Sequence, residues 1–155
     1  MALDIGIGNK GSWTFLQNEP QVGLTSSYYD FLFPLLQELA EETELRVIDL
    51  YEDSEFSGEQ LNAVERLLEK ARCLLAEQPE SWQCCLSNII LDTPARLRFE
   101  AEHPELRLEP IFEGSKTYKI YETVRREIFL DFIERWLLLV RRAKELDSTM
   151  ICKGD

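Results

Sequence analysis

The sequence predicts an α+β domain in which three amphipathic helices pack on a mostly antiparallel sheet of about five strands. Three observations lead there. Apolar residues recur at helical spacing in three long segments, and short alternating or apolar runs lie between them, bounded by Gly, Pro and Ser. The last two of these runs are joined by Glu113-Gly114-Ser115, a link that suits an antiparallel hairpin. A chain of 155 residues fits one domain, spanning 1–155. At that length it can bury about two thirds of its unfolded surface.

The elements follow in order. Ala2 to Ile7 and Trp13 to Leu16 read as short strands around a glycine-rich turn, Gly6 to Gly11. Thr25 to Ser27 supply helix-start hydroxyls, and Tyr28 to Glu42 carries Phe31, Leu32, Leu35, Leu36, Leu39 and Ala40 at helical spacing. Pro34 is tolerable near a first turn and kinks a helix that begins much earlier. Leu45 to Tyr51 reads as a strand through its adjacent Val47 and Ile48. Ser57-Gly58-Glu59-Gln60 is a capping box that opens the clearest helix. Leu61, Val64, Leu67, Leu68, Ala71, Leu74 and Leu75 then recur until Pro79.

Trp82 to Leu91 is the next strand, rich in Cys, Ile and Leu. Thr93-Pro94 and His103-Pro104 mark turns. Leu106 to Phe112 and the cleanly alternating Lys116 to Tyr121 form the hairpin. A final helix from Val124 to Leu146 is apolar over more than half its circumference, which makes it the central packing element. Lys116 to Lys144 is locally positive, with eight bases and four acids. The end, Asp147 to Asp155, is expected to be disordered.

Hydrophobic content of 45% and charged content of 30% are those of an ordinary folded protein. The N-terminus lacks the basic start and apolar core of a secretory signal. Acids interrupt the most apolar run, Ile128 to Val140, so it is not a membrane span. Cys73, Cys84, Cys85 and Cys152 lack ligand or redox spacing and read as reduced thiols in a core, which points to the cytoplasm.

Motifs for chemistry are missing. Gly6-x-Gly8-x-x-Gly11 matches the dinucleotide string, but no helix follows it to hold a pyrophosphate, so a plain turn is expected. His103 is the single histidine and sits in a surface turn. No serine lies in Gly-x-Ser-x-Gly. The acids lack the calcium-loop spacing. The chain is expected to be no enzyme, with no cofactor and no metal.

What stands out is charge. Of a net −12, eight units lie between Glu38 and Glu59, where nine acids face one base, Arg46. Such a surface repels nucleic acid and anionic lipid and attracts a basic protein. The candidate partner-binding residues are Asp49, Tyr51, Glu52, Asp53, Glu55, Phe56 and Glu59. Interfaces favour aromatics ringed by charge, which singles out Tyr51 and Phe56. For both, the competing reading is core packing, and Phe56 just before Ser57 suits a hydrophobic staple.

Small size, acidity and the Leu-Tyr-x-Asp-x-x-Phe-Ser stretch at Leu50 to Ser57 resemble the immunity proteins of bacterial toxin systems. The resemblance implies direct binding that neutralises a cognate toxin, often a basic nuclease. The carboxylates would then mimic phosphates, with Tyr51 and Phe56 as anchors. Two alternatives stand beside it. One is a structural or adaptor subunit, or a homodimer built on the apolar final helix. The other is an enzyme using scattered carboxylates.

Overall fold

The computed structural model describes residues 2–154. The class is α+β, but the count differs from the expected three helices and one sheet. Among the described residues there are four helices and seven strands in two antiparallel sheets. The chain divides into two units, one running up to Gln78 and resuming at Arg126, the other being Pro79–Arg125.

The first unit is built on a four-stranded sheet. Its strands are β1 (Ala2–Gly8), β2 (Val22–Thr25), β3 (Ser54–Phe56) and β7 (Thr149–Lys153), in the order β2-β1-β7-β3. The expected disordered tail is therefore a central strand, with residue 155 lying outside the described residues. Thr149 to Cys152 are all buried, and Ile5 pairs with Cys152 and Ile7 with Met150. The reason lies in Met150-Ile151-Cys152, an apolar run short enough to pass for a terminus and long enough to close a sheet. Trp13 to Leu16 is loop, not strand. Trp13 and Asn18 adopt left-handed backbone, with φ of 56° and 62°, which no strand accommodates. Leu45 to Tyr51 is also loop, for reasons given below.

Three helices complete this unit: α1 (Ser26–Thr43), α2 (Glu59–Ala76) and α4 (Arg126–Glu145). α1 starts earlier than its periodicity shows, so Pro34 falls at its ninth residue. The helix continues through it, losing one hydrogen bond of the ladder. At its start Thr25 Oγ1 and Ser27 Oγ bond each other at 3.1 Å, and Thr25 does not cap with its side chain. Of the capping box, the glutamine half forms, with Ser57 N donating to Gln60 Oε1 at 3.0 Å. Gly58 takes the N-cap position.

α4 is the central packing element. Phe129, Phe132, Ile133, Trp136, Leu137, Leu139, Val140 and Ala143 are buried. Tyr28 stacks on Phe129 with centroids 4.0 Å apart, and Trp136 Nε1 donates to Met150 Sδ at 3.2 Å. This arc packs within the unit, while Ile128 and Leu138 of the same helix stay more than half exposed.

The second unit is a three-stranded sheet, β4 (Ser81–Ile90), β5 (Leu106–Pro110) and β6 (Thr117–Arg125), in the order β4-β6-β5. The predicted hairpin is β5–β6, and Gly114 in its turn has φ of 82°. The Thr93-Pro94 turn is instead the first turn of α3 (Thr93–Glu102). Asp92 Oδ1 accepts from Ala95 N at 2.9 Å, a side-chain N-cap, and Pro94 sits where helices tolerate proline. His103 ends this helix at the surface, its ring 4.8 Å from that of Phe99.

The cysteines divide. All four are free thiols; Cys84 and Cys152 are buried, whereas Cys73 and Cys85 are exposed. Burial pushes the Cys152 thiol up to about 12, so it is inert. No helix among the described residues is long and apolar enough to cross a membrane.

Candidate protein-binding surface

The acidic stretch spans the end of α1, the loop at 44–53, β3 and the first turn of α2. Glu44 ends α1 in left-handed backbone, φ 58°, and turns the chain into the loop. The loop then folds on buried side chains instead of a strand ladder. Ile48 and Leu50 both point inward. Tyr29 Oη donates to Ile48 O at 2.9 Å, and Asp49 Oδ1 accepts from Tyr51 N at 2.8 Å, an Asx turn. A backbone carbonyl bonded to a tyrosine hydroxyl and an amide bonded to an aspartate are withdrawn from sheet pairing. That is why the β-branched pair Val47-Ile48 does not make a strand.

The chain end braces the same loop. Gly154 N donates to Asp53 Oδ1 at 3.0 Å. A Cβ on Gly154 would strike the backbone of Tyr51 and Glu52, so only glycine lets the two segments approach. The result is a loop fixed from three sides, with Tyr51 standing out of it. Tyr51 is 62% exposed between two buried neighbours in the pattern, Leu50 and Phe56.

The seven candidate residues thus separate. Asp49, Tyr51, Glu52 and Asp53 lie together on the braced loop. Among the described residues, Glu52 makes a long contact with the exposed Arg46, at 3.5 Å. Asp53 is exposed and Asp49 half-buried, and one oxygen of each holds a backbone amide. Glu55 is half-buried and accepts from Gly11 N at 3.0 Å, tying β3 to the turn after β1. Glu59 accepts from Asn62 Nδ2 at 3.1 Å in the first turn of α2, where a carboxylate also suits the helix dipole. Phe56 lies apart from the other six. It is 1% exposed and paired with Met150 in the sheet, which is the core packing that competed with the anchor reading.

Part of the −8 is neutralised locally. Lys70 bonds Glu38 at 2.7 Å, and Arg66 bonds Glu42, both from α2. The basic end of α4 does not reach the acidic loop. Lys144 and Arg141 pair with Glu65 at 2.7 and 3.2 Å, and Arg142 grips Glu19 with two bonds of 3.0 and 3.1 Å. The Lys144 hydrogen bond, helped by Arg141, holds the Glu65 carboxyl below its usual range. Arg142 does the same for Glu19. Arg141, Arg142 and Lys144 are engaged in these ion pairs, and the loop keeps its negative field.

Sequence reasoning missed Tyr29 and Gly154 as the supports of this loop. Neither carries a local signal, because both act across the fold. No group of three or more His, Cys, Asp or Glu side chains with metal-site geometry occurs among the described residues. Compared with protein families, with curated proteins and with solved structures, the chain matches none of them.

Proposed function

We propose that this protein is an acidic binding module that docks a basic protein partner through the loop at 44–53, without chemistry of its own. We further propose that the partner is a toxin domain neutralised by direct binding. The observation that carries the reading is Tyr51, held 62% exposed on a braced loop and ringed by Asp49, Glu52 and Asp53. A large exposed aromatic on a rigid support loses little entropy on binding. Carboxylates around it set partner choice and accelerate encounter. A cluster of acids alone would support only a solvated face.

The test uses the tagged protein as bait in the native host, with salt-gradient elution and mass spectrometry of what is released. One basic protein, retained stoichiometrically until high salt, is the expected result. Tyr51→Ala should then lower affinity by roughly 2 kcal/mol or more. Glu52→Lys should slow association most at low salt. Asp53 and Glu55 are poor probes, since each holds a backbone amide. Unchanged affinity in both Tyr51→Ala and Glu52→Lys would place the interface elsewhere.

A further inference from the structure

We infer that the outer edge of β4 from Ser87 to Ile90, continued by Leu91, takes a second copy of this chain by antiparallel strand addition. β4 is an outer strand of its sheet, and its ladder among the described residues is to β6. An outer strand turns alternate N–H and C=O groups away from the sheet, a ready template for pairing.

The two outer strands of this sheet are built differently. β5 carries Arg107 and Glu109 and ends on Pro110, which are features that discourage pairing. β4 has none of them. From Ser81 to Leu91 there is no charged residue and no proline, in a chain that is 30% charged. Ser87, Asn88 and Ile90 are exposed, Ile90 by 76%. Ile90 lies beside Thr117 in the ladder, and Ile111 N donates to Thr117 O at 3.1 Å. Ile111 and the adjacent Phe112 are exposed as well, so an apolar group stands at this end of the sheet.

Charge selects the occupant. The chain carries −12, and copies repel. Pro79–Arg125 holds eight acids and six bases, against 21 acids and 11 bases in the rest. The charge that makes copies repel therefore lies mostly in the rest of the chain, and this unit adds little to it. A basic partner gains nothing from an uncharged strand, whereas a copy finds self-complementarity. With a two-fold axis at Ile89, Ser87 faces Leu91 and Asn88 faces Ile90, and no charge meets a like charge.

The experiment is light scattering of the full chain over a dilution series up to about 0.1 mM, where even a micromolar dimer is populated. Wild type should approach twice 18.1 kDa as concentration rises. Added salt should strengthen the dimer by screening the net charge, the opposite of its effect on a basic partner at the acidic loop. The double variant Ser87→Lys and Ile90→Lys, with native circular dichroism, should weaken the dimer at least tenfold. A wild type that stays monomeric throughout overturns the inference. So does a dimer that the folded double variant leaves intact. Should that variant not fold, Ile89→Cys with Cys73→Ser and Cys85→Ser supplies the answer. Oxidation should then link two chains, and no link overturns the pairing.

Discussion

The two units of this chain differ in how they are held together. The larger one packs Trp136, Phe129, Phe132 and the strands β1 and β7 into a continuous apolar core. The stretch Pro79–Arg125 contributes only Cys84, Ile120 and Val124 to the buried apolar residues among those described, and α3 has no buried residue at all. It relies on its ladders, β4 to β6 and β6 to β5, and on polar cross-strand contacts such as Arg107 over the Tyr121 ring at 4.5 Å. In the larger unit the surface is acidic and the core carries stability. The larger unit leaves Tyr51, Ile128 and Leu138 more than half exposed over a deep core, and the smaller leaves Ile90, Leu97 and Phe112 so over a slight one.

The largest expected effect lies in the larger core. Trp136→Ala removes a fully buried side chain and its bond to Met150, and should cost about 3–5 kcal/mol in chemical denaturation. Ile120→Ala in the smaller unit should cost nearer 2 kcal/mol, the low end for buried Ile→Ala. Equal costs would break the contrast. A second, lower-stability transition in hydrogen exchange confined to Pro79–Arg125 would sharpen it.

Acid should act next, and on the larger unit. Glu65 is held below its usual 4.5 by Lys144 and Arg141. The stability it contributes is complete above 4.5 and is lost as pH falls through the lower folded value. Lys144→Gln should flatten that part of the acid limb in a pH series of melting temperatures. The smallest effect belongs to Tyr51→Ala, which should change stability by no more than about 0.5 kcal/mol, as surface changes do. A large loss there would mean that Tyr51 supports the loop instead of standing free of it.

Much of the fold was legible. Periodicity placed α1, α2 and α4 to within a few residues, since each buries a wide apolar stripe. Alternation and Gly114 placed the β5–β6 hairpin. What escaped was structure without a periodic signature. α3 buries nothing, so only Asp92 and Pro94 could announce it, and Thr-Pro reads equally as a turn. The loop at 44–53 carries strand-forming residues, yet Tyr29 and Asp49 claim its backbone groups from a distance and from next door. The acidic patch was visible as composition. Which acids face outward was not, because Glu55 and Asp53 are bound to amides 44 and 101 residues away. Phe56 illustrates the limit best. Its neighbours gave an interface pattern and a core pattern alike, and only its place opposite Met150 decides.

The position of β7 has a consequence for biosynthesis. β1 is made long before its partner on one side: Ile5 waits for Cys152. β3 waits for the same strand. Until then β1 and β3 each show an unpaired edge, while the hairpin of β5 and β6 can already form from neighbouring sequence. Pairing across such a separation is slow, and the waiting edges are the kind that chaperones cover and that aggregates recruit.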